Sequence, residues 1–444
     1  MVCKINVGMQ GRIDATRLFN TNLFRILTQK AGMMRLLWDK RMAVYHHGPH
    51  ERSSASLSDI LLSIKTATDS PPQQDPIGYA VIGWHVDDGT GVACCVGWNL
   101  DYKTNRVVQF IRGKIEVTYA VTMTGWHGNK ALGFTLFEDE RKHKVTMTAM
   151  DAIKKLSTTL LRNAHVIAPK HVMTVDFDDI PSGVVPDKGD PQYNTVMTEM
   201  SETRHGLGVM IWASQAHISA MHPTNKLCAR MQYPHGRTRK GLCHMLMHLL
   251  AHDPGSSWGG DPTHFGLEMV HDDKHVSPYV SRPMHMMWFG DANLSLESRT
   301  GGVGMLARGC IFAISQRQHL SAPDAHTSEV VSGGTNFSML VPVAGVCQEL
   351  HVLCGDAVPF YLDSKTTVFV ATSDTAAKKS VWLLRRVAVL EDGVQHGDMS
   401  PRHISERDQA ADPFTKYLTQ PVWARHMHFV LNRDGDVPPY PGRN

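Results

Sequence analysis

Apolar positions along the chain change their spacing several times, and each change marks an element. In residues 14–34, Leu18, Phe19, Leu23, Ile26 and Leu27 recur at helical spacing, with Asp14 or Thr16 placed to cap the start. A short apolar strand follows at 42–46. The polar stretch 48–58 and the Pro-rich stretch 70–76 read as loops. Residues 77–93 form two apolar strands around the tight turn His85-Val86-Asp87-Asp88. Residues 106–155 begin with a helix or strand and continue as a strand-turn-strand through 131–136 and 144–147. A helix then runs from Ala149 to about Arg162. A connection rich in Pro, Gly and Asp covers 169–193. Residues 197–220 are helical, and 225–251 form a further helix closed by Asp253-Pro254-Gly255. Another loop-rich stretch covers 261–283.

The last third has a tighter pattern. A strand ends at Asp291, and a turn with Gly301-Gly302 leads to a strand at 303–307. A second turn at Arg308-Gly309 leads to a strand at 310–314. These glycines lack the strand-loop-helix context of a phosphate loop, so they read as hairpin turns. Glu329 heads a long helix through Leu340, Val343, Val346 and Leu350. A strand then ends at Asp363, a helix covers 380–390, and a short strand covers 399–404. The final helix contains Asp412. Three antiparallel strands, helix, strand, helix, strand, helix is the ribonuclease H arrangement.

Taken singly, Asp291, Glu329, Asp363 and Asp412 suit a helix cap or a turn equally well. Together, in this order and on these elements, they suit a two-metal centre. Phosphodiester hydrolysis needs a polarised water, a stabilised leaving oxygen and charge relief at phosphorus, which two ions about 3.5–4 Å apart supply. Mg²⁺, or Mn²⁺ in its place, takes hard oxygen ligands, so several carboxylates are required. Asp87 and Asp88 read locally either as an Asp-Gly hairpin turn or as a second acidic pair needing a cation.

Composition narrows the picture only a little. A chain of 444 residues allows two or three domains, with boundaries expected at 1–180, 181–282 and 283–444. With 42% hydrophobic and 20% charged residues it reads as a folded chain. A formal charge of +3 does not announce a nucleic-acid binder, so any basic surface must be local. Residues 225–251 hold Lys226, Arg230, Arg237, Arg239 and Lys240 and no acid, which suits phosphate contact or a solvated helix face. His244, His248 and His252 share one helical face, but no Cys or Glu completes a zinc set. The 8 Cys show no C-x-x-C, so reduced thiols and an intracellular location, cytoplasm or nucleus, are expected. No apolar run is expected to span a bilayer, the start lacks a secretory apolar segment, and no membrane partner is expected.

The motifs resemble the reverse transcriptase–ribonuclease H part of Ty1/copia-type retrotransposon polyproteins. Phe289-Gly290-Asp291-Ala292 resembles the family's "YSDAD", and Ser298-Arg299-Thr300-Gly301-Gly302 its "RKSTSG". Ala313-Ile314-Ser315-Gln316-Arg317-Gln318 is similar to "ISWKSKKQ", Thr327-Ser328-Glu329-Val330 to "SSTEAEY", and Leu362-Asp363-Ser364 to "CDNQSA". The most specific match is Asp408-Gln409-Ala410-Ala411-Asp412-Pro413-Phe414-Thr415-Lys416 with "EQLADIFTK". Upstream, Val2-Cys3-Lys4-Ile5-Asn6 through Phe19 resembles "VCKLNKSLYGLKQAPRAW". Residues 245–252 lie where the family has "ILRYLKGT", which favours a structural role for the three histidines.

The resemblance implies an α+β or α/β multidomain chain: a partial polymerase palm, a thumb or connection region, and a ribonuclease H-like domain on a mixed five-stranded sheet. It also implies that Asp87 and Asp88, from the "YVDD" turn, are polymerase metal ligands. Asp291, Glu329, Asp363 and Asp412 would bind Mg²⁺ and cut the RNA strand of RNA–DNA hybrids. Lys378, Lys379, Arg385 and Arg386 would contact the hybrid's backbone, and His403 would aid product release. The family's "LDVNNAFL" strand, with its metal-binding Asp, has no counterpart here. DNA synthesis by this chain alone is therefore not expected without the missing part of the polyprotein. The runner-up reading is a decayed remnant that binds nucleic acid without catalysis. An integrase-type nuclease shares the fold, but the His85–Asp88 turn and the Asp412–Lys416 ending argue against it.

Overall fold

The computed structural model describes residues 2–6, 13–47, 60, 63–64, 66–68, 74–85, 88–96, 102–125, 129–139, 144–161, 180–251, 267–270, 286–306, 309–319, 322–353, 357–373 and 381–431. The chain divides into two compact units. One comprises residues 1–138 with 341–356, and the other 139–340 with 357–444.

The first unit contains β1 (Val2–Asn6), α1 (Ile13–Gln29), β2 (Met34–Arg35), β3 (Met42–His47), β4 (Gly78–His85), β5 (Asp88–Cys95), α2 (Arg106–Glu116), β6 (Ala120–Thr124), β7 (Asn129–Ala131) and β8 (Phe134–Asp139). Six strands form an antiparallel sheet in the order β2-β3-β4-β5-β1-β6. Strand periodicity decides which side chains face which layer. Ala43, Tyr45, Ala80 and Ile82 pack with Leu23 and Leu27 of α1 and with Ile111 and Ile115 of α2. Their neighbours Val44 and Tyr79 take the other face, with Leu36, Ile60, Ile64, Val346 and Leu350. The expected helix at 14–34 ends at Gln29, and Gly32 follows at φ +64°, a conformation that L side chains rarely adopt. The undecided element at 106 is a helix, capped by Asn105 accepting from the Val108 N–H at 3.1 Å.

The second unit contains β9 (Lys144–Thr148), α3 (Met150–Leu160), α4 (Tyr193–Ala213), α5 (Met221–Cys228), α6 (Gly236–Ala251), β10 (Leu267–Val270), β11 (Met286–Asn293), β12 (Arg299–Leu306) and β13 (Gly309–Arg317). It continues with α7 (Ala325–Glu349), whose last turns belong to the first unit, then β14 (Val358–Leu362), α8 (Lys365–Thr372), α9 (Val381–Gln395), β15 (Met399–His403) and α10 (Gln420–Val430). Its five-stranded mixed sheet has the order β13-β12-β11-β14-β15. The first three strands are antiparallel, and β14 lies parallel to both β11 and β15. Leu156 and Leu160 of α3 and Leu242 of α6 close over Gly206 of α4, where a Cβ would come within 2.7 Å of Leu242.

Several expectations are corrected here. Gly301 and Gly302 lie inside β12 rather than in a turn. They are small because the sheet is covered closely: a Cβ on Gly302 would fall 1.8 Å from Asn336 Oδ1, and one on Gly301 2.6 Å from Thr415 Cγ2. The basic helix expected at 225–251 is two helices, with Pro234 in the break. Asp412 is not in the final α-helix. It opens a short 3-10 turn, Asp412–Phe414, with Pro413 as its second residue, and α10 begins only at Gln420. The stretch 261–283, expected as loop, contains strand β10. Helix α8 had no counterpart among the expected elements. The absence of a membrane-length apolar run is also corrected: among the described residues, α7 is long and apolar enough to cross a bilayer. Its composition follows from its position, since most of that window is buried inside the protein.

Candidate metal centre

The parallel pairing of β11 with β14 is what brings two acids together. Phe289 stands opposite Tyr361, and Asp291 and Asp363 each follow two residues later. Asp291 is therefore near the end of its strand, and Asp363 directly follows β14. Glu329 lies one turn into α7. One oxygen from each of Asp291, Glu329 and Asp363 lies within 4.8 Å of the others, the one such group of possible metal ligands found among the described residues.

Buried hydrogen bonds fix this corner. Ser332 Oγ on α7 donates to the Asp291 carbonyl at 2.5 Å. Trp288 Nε1 donates to Asn336 Oδ1 at 3.0 Å, and Asn336 Nδ2 donates to the Gly301 carbonyl at 2.9 Å. Gln409 Nε2 donates to the Gly290 carbonyl at 2.9 Å. The Thr415 hydroxyl donates to Asp291 Oδ2. Asp291 is 1% exposed, yet its Oδ1 has no hydrogen-bond partner, and neither does the buried Oε2 of Glu329.

The electrostatics match that geometry. Burial, reinforced by Asp363, pushes the Asp291 carboxyl up to about 6 against the opposing pull of Lys416. Burial and the neighbouring charges of Asp291 and Asp363 push Glu329 up to about 10. Asp363 is also raised, mainly by burial, while Lys416 and His403 oppose the shift. Burial and Asp291 raise Asp412 to about 8. Burial and like charge disfavour the ionised form of these carboxyls, and a bound cation would favour it. All the donors are hard oxygens, two of them buried and unpartnered, so the set fits Mg²⁺ or Mn²⁺.

The other expected residues are distributed as follows. Asp412 lies near enough to Asp291 for that charge to raise its carboxyl, and its Oδ1 is 3.0 Å from Lys416 Nζ. His403 ends β15 opposite Leu362, is exposed, and lowers the Asp363 carboxyl. Arg385 is exposed on α9, and the Arg386 stem packs near Gly334 of α7. Arg237 and Lys240 are exposed on the first turns of α6, while Arg239 pairs with Glu202 at 2.8 Å. His248 is buried edge-on to Trp423, in keeping with a structural role. Lys378, Lys379, His252 and Asp87 lie outside the described residues, as does the Asp88 side chain. The Asp88 backbone opens β5 opposite Lys4 and His85. Sequence reasoning passed over Thr415 and Lys416. They stand three and four residues after Asp412, the spacing of one helical turn, and that was the available signal.

No family model matches the chain, and no curated protein matches it. Among solved structures it is similar to an N-terminal RNase H domain from Mycobacterium tuberculosis, solved as a fusion with maltose binding protein. The identity is 12%, with 30% of this chain and 91% of that chain covered and a TM-score of 0.24. It is also similar to a foamy viral protease-reverse transcriptase in complex with double-stranded DNA. There the identity is 10%, with 73% of this chain and 46% of that chain covered and a TM-score of 0.36. The architecture itself stands on the strand order and registers given above.

Proposed function

We propose that the second unit is a divalent-metal-dependent nuclease of ribonuclease H type that hydrolyses the RNA strand of RNA–DNA hybrids. The observation that carries this reading is the convergence of Asp291, Glu329 and Asp363 within 4.8 Å, with a buried, unpartnered oxygen on Asp291. The mixed sheet of three antiparallel strands followed by two parallel ones supports it. So does the motif resemblance to Ty1/copia polyproteins, which runs through all four acids.

Asp291, Glu329 and Asp363 would hold the ion. When bound, it would polarise a water and offset charge on the phosphate. Thr415 holds one Asp291 oxygen and leaves the other turned to the cluster. Asp363 and the exposed His403 form the side open to solvent. Arg385, Arg237 and Lys240 are candidates for backbone contact, which would position a hybrid without reading its sequence.

The test is cleavage of a labelled RNA–DNA hybrid by the full chain with Mg²⁺ or Mn²⁺, against Asp291→Asn and Asp363→Asn. Cleavage by the wild type that both variants lose supports the proposal. Cleavage that survives both substitutions overturns it. Tight hybrid binding with no cleavage at any ion concentration also overturns it and favours a binding remnant.

A further inference from the structure

Resting on that reading, we propose that Lys416 is a built-in cation of the carboxylate site. Its ammonium occupies the Asp412 side, so the protein holds one divalent ion tightly, on Asp291, Glu329 and Asp363, where four acids alone would hold two.

Three observations carry this. First, Lys416 Nζ is 3.0 Å from Asp412 Oδ1, a distance at which a cation already serves that carboxylate. The Asp412 side chain is only 5% exposed and that of Lys416 29%, so this is not a loose surface pair. Second, Asp412 does not belong to the three-acid group within 4.8 Å. The fourth acid is thus directed to the ammonium and not to the shared ligand position. Third, the turn that carries Lys416 is pinned to the cluster, because the Thr415 hydroxyl donates to Asp291 Oδ2.

The chemistry is consistent with this division. One divalent ion and one ammonium offset three of the four negative charges. A second divalent ion on Asp412 would have to approach the ammonium directly or displace it, and like charges at that separation repel strongly. The short turn makes the arrangement local: Asp412 and Lys416 are four residues apart, and the Lys416 N–H donates to the Asp412 carbonyl at 3.1 Å. Thr415, between them, ties the same turn to Asp291.

The test counts Mn²⁺ bound to the full chain by electron paramagnetic resonance and titration calorimetry, without substrate. The wild type is expected to hold one tight Mn²⁺. Lys416→Gln is expected to gain a second, bound at least about tenfold more tightly than in the wild type, the scale of removing an adjacent like charge. Lys416→Arg keeps the charge and is expected to keep one ion, which separates loss of the cation from a misfolded turn. Two equivalent Mn²⁺ in the wild type, or an unchanged count in Lys416→Gln, overturns the inference and leaves the nuclease proposal standing. No Mn²⁺ bound to the wild type overturns both.

Discussion

In the six-stranded sheet, β3 and β4 alternate so that apolar side chains fill both faces: Tyr45 and Ile82 on one, Val44 and Tyr79 on the other. In the five-stranded sheet, β11 is buried over Met286–Asp291 and then delivers a carboxylate into the protein. The two sheets differ in how their strands are joined. Strand β4 pairs with β5 antiparallel, with His85 opposite Asp88. The parallel pairing of β11 and β14 needs a crossover through α7, and it aligns two strand ends that each carry an acid. A parallel pair therefore builds a site in three dimensions from acids 72 residues apart, 291 to 363, whereas a hairpin can build one only from neighbours.

The sharpest break in this comparison is Asp291→Asn. Hybrid cleavage should fall by at least about three orders of magnitude, the scale of losing one member of a catalytic unit. The metal-free protein should become more stable, because a buried charge is removed. A gel cleavage assay and thermal denaturation with chelator measure the two. Ile82→Ala in the other sheet should do the reverse. It should cost about 2–5 kcal/mol in urea unfolding, with Mn²⁺ stoichiometry unchanged. Gly302→Ala, which pushes a methyl into Asn336, should cost about 1–3 kcal/mol and disturb the site as well.

Thr415→Val should weaken Mn²⁺ binding by roughly 10–100-fold, since Asp291 loses the donor that orients it. The smallest effect is expected for Arg385→Ala: hybrid affinity should fall a few-fold and its salt slope by about 1, with Mn²⁺ binding untouched.

Stability against pH sharpens the same contrast. Asp291, Glu329 and Asp412 have raised carboxyls in the folded protein, so the folded state binds protons more tightly than the unfolded one. Their contribution is full below the ordinary carboxylate range and is lost as pH rises through about 6, then 8, then 10. Without metal, stability should therefore fall from acid to alkaline pH. Mg²⁺ should restore more of it the higher the pH, because binding displaces those protons. Melting curves across pH 5–9, with and without Mg²⁺, measure this; a Mg²⁺ gain that does not grow with pH would count against the site.

The strand-end acids and their order were legible in the sequence, because alternation, an apolar run and a terminal carboxylate are local properties. So were α1, β3, β4, β5 and the antiparallel run of β11, β12 and β13. Gly301 and Gly302 misled because a glycine pair marks a turn locally. Only packing beneath Asn336 and Thr415 reveals that they are strand positions without room for a side chain. The basic segment near 225–251 divides at Pro234, which a helix-wide charge pattern obscured.

By itself, then, the sequence determined which residues carry charge and which strands they end, since those depend on neighbours a few positions apart. Tertiary structure alone decided that Glu329 meets Asp291 and Asp363, that Thr415 holds Asp291 across 124 positions, and that Lys416 shares the site. The physical reason is burial. A carboxylate becomes short of a cation only when long-range packing removes its water, and no local pattern records which chain segment does the covering.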